Sequence, residues 1–149
     1  MPRKKYHRDR VYQVVGEPGP GTQVAGYVRY SSELQDPVTI ATQKRKIQEY
    51  CDLKGWIITR WYEEPERSAN YEDIERRPVF TLLLEEAGVD FQVAICYMSD
   101  RWARNVPVAF ISLSQLRRKR IWWATADGMW DIDKVLERDT MLHLQLTPR

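Results

Sequence analysis

Residues 91–98, FQVAICYM, most narrowly limit what this chain can fold into. A continuous apolar run of strand length has no polar face to turn toward water, so the strand it forms is covered on both sides. Helical patterns flank it. RPVFTLLLEEAG precedes it and opens with Pro78, and VPVAFISLSQLRRKR follows it. QVAGYVRYS, WIITRWY and IWWATA read as further strands set between helical segments. Strands alternating with helices call for right-handed crossovers and a mainly parallel sheet. The expected fold is a three-layer α/β domain, its sheet of four to five strands flanked by helices.

The clearest helix is LQDPVTIATQKRKIQEYCDLKG. Asp36 suits the N-cap, Pro37 the first helical position and Gly55 the C-terminal stop, while Ile40, Ile47 and Cys51 recur at helical spacing. Residues 1–23 read as a basic, Gly/Pro-rich arm, in which VYQVV can add an edge strand. The domain proper is expected over 24–128. Beyond Gly128 the pattern weakens, and 129–149 are expected to form a short tail or truncated helix. A chain of 149 residues holds one such domain and not two ordinary ones.

The net charge of +2 argues neither for nor against nucleic acid, but the charges are unevenly spread. Arg3, Lys4, Lys5, Arg8 and Arg10 crowd the first ten residues, and Arg117, Arg118, Lys119 and Arg120 form a second cluster. Two cysteines, Cys51 and Cys96, make a disulfide framework unexpected, and with only two histidines beside them a zinc ribbon is not expected either. His7 and His143 suggest no role. With no signal peptide and no long apolar run, the expected location is the cytoplasm, away from membranes.

Chemistry gathers at two strand ends. Alternation along YVRYS puts Tyr27, Arg29 and Ser31 on one face, and open α/β sheets bind ligands at the carboxyl ends of their strands. SDRWAR follows the most apolar strand. If a helix begins at 100, Arg101 and Arg104 face the same way, and Asp100 can orient one of them. Guanidiniums gathered this closely repel unless an anion lies between them, and phosphate matches their bidentate fork. Arg77, just before the Pro78 helix start, is a further candidate, because free backbone N–H groups there also favour an anion. Each feature alone has a plainer explanation as a salt bridge at a strand or helix end.

Together, YVRYSSELQ, TIATQKRKIQEYC, RSA, RRPVF and SDRWAR resemble, in order and spacing, the catalytic domain of the serine recombinases, the resolvase/invertase family. The resemblance covers about residues 24–126. The wording YVRYSSE and RRPVF is closest to the large serine recombinase and transposon-associated branch. The resemblance implies a resolvase-like fold and a site-specific recombinase that cleaves and rejoins DNA through a 5′-phosphoserine. It assigns Ser31 as nucleophile and Arg29, Arg77, Arg101 and Arg104 as phosphate-holding groups, supported by Asp100 and Gln43. Ser68 corresponds to the serine of a mobile loop, and either Glu63 or Glu64 to the acid before it. No cofactor and no metal are implied. The partner is DNA, on which family members act as dimers or tetramers.

A long helix and a separate DNA-binding domain normally follow, and 129–149 are too short for both. Arg3, Lys4, Lys5 and the cluster 117–120 can supply unspecific phosphate contacts, though cations also simply favour a helix C-terminus. Trp122 and Trp123 are expected to straddle the sheet as core residues; with Trp102 and Trp130, base stacking is the other use. Two alternatives remain beside the recombinase. One is a non-catalytic DNA- or partner-binding module of the same fold, and the other a protein that binds a small phosphorylated ligand.

Overall fold

A computed structural model of the chain describes residues 16–30, 38–65 and 74–137. The elements run β1 (Gln23–Tyr30), α1 (Ile40–Lys54), β2 (Ile57–Pro65), a 3-10 turn (Ile74–Arg76), α2 (Pro78–Glu86) and β3 (Val93–Cys96). A single helical turn α3 (Ser99–Trp102), then α4 (Val106–Arg118), β4 (Trp122–Thr125), β5 (Gly128–Trp130) and α5 (Ile132–Val135) complete the described chain. The sheet order is β2-β1-β3-β4-β5. The first four strands are parallel, and β5 runs antiparallel to β4.

Each strand residue is committed to a face by alternation. Val24, Val28, Ile95, Ala124 and Met129 pack with Ile47 and Cys51 of α1 and with Trp56. Ala25, Tyr27, Ala94, Cys96 and Trp123 pack on the opposite side with Phe80 and Leu83 of α2 and Leu113 and Leu116 of α4. The three layers are therefore as expected, and β3 is buried throughout. Trp122 and Trp123 lie on opposite faces. Gly26 is needed where β1 meets β2: a Cβ there would fall 2.4 Å from the ring of Trp61.

Three expectations are corrected. Helix α1 starts at Ile40, and its cap is Thr39, whose side chain accepts the Thr42 amide; Asp36 and Pro37 lie outside the described residues. Threonine wins because its oxygen reaches the amide three residues on, the same geometry that aspartate would have used. The tail supplies a fifth strand, β5, returning from β4 through a turn that closes at Gly128. Finally, the helix after β3 ends at Trp102, and Ala103 is extended, so Arg101 and Arg104 do not share a helical face. VYQVV lies outside the described residues. Gly55 does end α1, in the left-handed conformation at φ 76°.

Part of the Gly/Pro-rich segment packs onto the end of α1. Trp56 donates its indole N–H to the Pro18 carbonyl at 3.2 Å, and Lys54 pairs with Glu17 at 2.9 Å.

Candidate active site

The carboxyl ends of β1 and β3 converge on the backbone of Arg29. Its carbonyl accepts from Arg101 Nη1 at 2.7 Å and from Gln43 Nε2 at 3.0 Å. Gln43 also donates to the Val38 carbonyl at 3.1 Å, which ties the approach to α1 to the end of β1. The Arg29 side chain runs the other way, its Nη2 donating to the main-chain carbonyl of Asp100 at 3.2 Å. Arg29 and Arg101 thus hold each other's segments in a reciprocal exchange between β1 and α3. Arg29 and Gln43 are fully buried and Arg101 is 9% exposed. Both arginines donate to main-chain carbonyls of the other's segment, which fixes their positions.

A second group forms around Arg77. Tyr27, two residues before Arg29 and on the same strand face, donates its hydroxyl to Glu64 Oε1 at 2.6 Å and accepts from Arg77 Nη2 at 3.0 Å. Glu64 also accepts the backbone amides of Val79 and Phe80 at 2.8 and 2.9 Å, which caps the N-terminus of α2 from across the sheet. The Arg77 guanidinium lies 3.8 Å from the Phe80 ring centroid and 5.5 Å from that of Tyr27. Burial, opposed mainly by Arg77, pushes the Tyr27 phenol well above its ordinary range, so it stays a proton donor to Glu64. Arg77 is fully buried and Glu64 nearly so. Of the two candidate acids, Glu64 is the one turned inward; Glu63 faces out and pairs with Lys44.

Among the described residues the buried charged groups are three arginines (Arg29, Arg77, Arg101) and one carboxylate, Glu64. All four sit where β1, β2 and β3 end. Cys96 closes β3 nearby, but burial and then the Asp100 charge hold its thiol well above the ordinary range, so it offers no competing thiolate. No group of three or more His, Cys, Asp or Glu among the described residues is placed to hold a metal ion.

A family model described as the resolvase N-terminal domain matches residues 24–145. The chain belongs to the resolvase family. Solved structures agree with this resolvase-type fold. The N-terminal catalytic domain of TP901-1 integrase is 18% identical with a TM-score of 0.61, covering 83% of this chain and 90% of that one. A resolvase family site-specific recombinase from Streptococcus pneumoniae is 17% identical with a TM-score of 0.62, covering 83% of each chain. The C-terminal catalytic domain of ISC1926 TnpA, an IS607-like serine recombinase, is 14% identical with a TM-score of 0.57 over 83% of this chain and 94% of that one. A comparison with curated proteins finds no match.

In this resolvase domain the residues singled out by sequence divide into three sets. Arg29, Gln43, Arg77 and Arg101 come together as described above. Asp100 joins them through its main-chain carbonyl, and Arg104 is half-buried just past α3. Ser31, Ser68, Arg3, Lys4 and Lys5 lie outside the described residues. The cluster 117–120 is far from this arrangement in the fold, at the end of α4. There Lys119 donates to the Leu84 and Glu85 carbonyls that close α2, and Arg117 pairs with Asp133 at 3.2 Å. Trp102 and Trp123 are each 1% exposed and pack as core. Sequence reasoning missed Tyr27 as a working residue, although its shared parity with Arg29 was the available signal. No described helix is long and apolar enough to cross a membrane.

Proposed function

We propose that this resolvase-family domain is a serine recombinase, cleaving and rejoining DNA with Ser31 as nucleophile. The observation that supports this best is the convergence of Gln43 and Arg101 on the Arg29 carbonyl. That carbonyl stands two residues before Ser31, and Arg29, Arg77 and Arg101 are all buried at these strand ends. A hydroxyl is a poor nucleophile at neutral pH and depends on its surroundings. In phosphoryl transfer those surroundings act mainly by positioning and by stabilising the charge spread over the phosphate oxygens.

In the proposed step the Ser31 hydroxyl oxygen bonds to the scissile phosphorus as the bond to the DNA 3′-oxygen breaks. The serine gives up its proton, and the departing 3′-oxygen takes one up to become a hydroxyl. The product is a 5′-phosphoserine. The new ester retains the energy of the old one, so attack by a 3′-hydroxyl reverses the step without ATP. Arg29, Arg77, Arg101 and Arg104 hold the phosphate. Gln43 and the Asp100 carbonyl fix Arg29, and Glu64 with Tyr27 fixes Arg77. A low-dielectric surrounding strengthens each contact relative to water. The family resemblance assigns Ser68 a supporting part.

The test is to incubate the protein with nicked duplex DNA that traps the covalent species, then separate the products by denaturing electrophoresis. The expected result is a DNA-sized shift that Ser31→Ala abolishes and Ser32→Ala does not. A shift abolished only by Ser32→Ala moves the nucleophile by one residue. DNA binding with no covalent species in any variant supports instead a non-catalytic module.

A further inference from the structure

A cavity of about 250 Å³ opens at the end of the sheet opposite the arginine cluster, where β4 begins and β5 finishes. Its walls are Ile121, Trp122, Trp130 and Ile132, with Arg117, Arg120, Asp131 and Asp133 around the rim. Both carboxylates are already engaged: Asp131 caps α5 by accepting the Asp133 amide at 3.1 Å, and Asp133 pairs with Arg117. The Arg120 guanidinium is the rim charge with no hydrogen-bond or ion-pair partner among the described residues.

Arg120 also stands in an unusual backbone position. It follows the last turn of α4 at φ 61°, the one non-glycine residue among those described with positive φ. The bond from the Ile121 amide to the Leu116 carbonyl, 2.9 Å, closes the helix around it. Helix α1 meets the same geometric demand with Gly55 at φ 76°. A glycine at 120 would relieve the strain, so the long cationic side chain is present at a cost to the fold.

We propose that this cavity binds a planar ring carrying an anion, as in a nucleoside monophosphate unit, with the ring against Trp130, which shares the Trp123 face of the sheet, and the phosphate on Arg120. Indole faces stack on any base, and a guanidinium matches phosphate oxygens in pairs. The volume admits one such unit and not a duplex. The site lies at the opposite end of the sheet from Arg29 and does not rest on the recombinase reading. The same chemistry has two sources, a free nucleotide or an unpaired nucleotide of a single strand.

The test is calorimetric titration of the whole chain with adenosine monophosphate and, separately, with a short single-stranded thymidine oligonucleotide. Saturable binding of the first assigns a free ligand, and binding of the oligonucleotide alone assigns a strand; both carry the proposal. Arg120→Gly should weaken binding about tenfold or more, the size of a lost charge-assisted contact. Because glycine suits the left-handed position, its thermal midpoint should be unchanged or higher, which separates lost binding from lost folding. Trp130→Phe, which keeps a ring in the wall, should weaken binding less than Arg120→Gly. No saturable binding of either probe, or Arg120→Gly binding as tightly as the parent, overturns the proposal.

Discussion

Two cationic regions of this molecule are built in opposite ways. Arg29, Arg77 and Arg101 are buried where the parallel strands end, fastened by carbonyls, a tyrosine hydroxyl and aromatic faces. Residues 117–120 are exposed at the end of α4, where Lys119 closes α2 and Arg117 meets an aspartate. Burying a guanidinium costs several kcal/mol, so the first arrangement has to be imposed by the fold, whereas the exposed charges of the second stay in water and undergo no such desolvation. A run of basic residues is easy to see in a sequence and easy to overrate. Single arginines separated by many residues, at strand and helix ends, make the more demanding structure.

The comparison is broken most severely at Arg29. Arg29→Lys keeps a charge but not the planar fork, and should lower the rate of DNA cleavage by about 10² to 10³-fold, the scale of a lost oxyanion donor. A cleavage assay in which lysine restores the rate would mean that position 29 contributes charge alone. Next in size is Glu64→Gln. It removes the carboxylate that caps α2 and holds Tyr27 and should cost about 1–3 kcal/mol in denaturant unfolding.

The legibility of the sequence follows the same division. Strand parity foretold the shared face of Arg29 and Tyr27, and the apolar run at 91–98 foretold a strand buried on both sides. Proline at the first position of α2 and glycine after α1 marked helix ends correctly, because both act through their own backbone. What could not be read was partnership. Glu63 and Glu64 are chemically identical neighbours, and only the register of β2 against β1 decides which one turns inward. Asp36 and Thr39 are both good caps, and the choice depends on where the chain enters the helix. Arg101 and Arg104 were expected on one helical face, but the helix stops at Trp102, whose ring is taken into the core against Phe80 and Trp123. Strand β5 has three residues and no period to detect, and it exists because β4 offers it an edge.

Smaller effects sharpen the contrast. Burial, with the Asp52 charge, pushes the Cys51 thiol up to about 12 from 9.0. The unfolded chain therefore ionises first as pH rises. Stability is full below pH 9.0 and falls from there toward about 12, by about 1 kcal/mol at the first unit. Unfolding curves for Cys51→Ala should show a shallower alkaline loss; an unchanged slope would assign the loss to other groups, Tyr27 among them. Lys119→Ala should cost about 0.5–1 kcal/mol through the uncapped α2 carbonyls. Smallest of all, Asp133→Ala should change stability by less than about 0.5 kcal/mol, because its pair with Arg117 is exposed. If losing this exposed pair cost as much as losing Glu64, the contrast between the two regions would fail.

The central claim is that the buried arginines serve one hydroxyl, and peptide mapping tests it most directly. The species trapped on nicked DNA is digested with nuclease and protease, and the mass of each serine-containing peptide is measured. The account predicts a nucleotide phosphate on the peptide that spans Ser31, its fragments placing the mass on that residue. A nucleotide carried instead by Ser68, or by no serine while DNA is still bound, would contradict it.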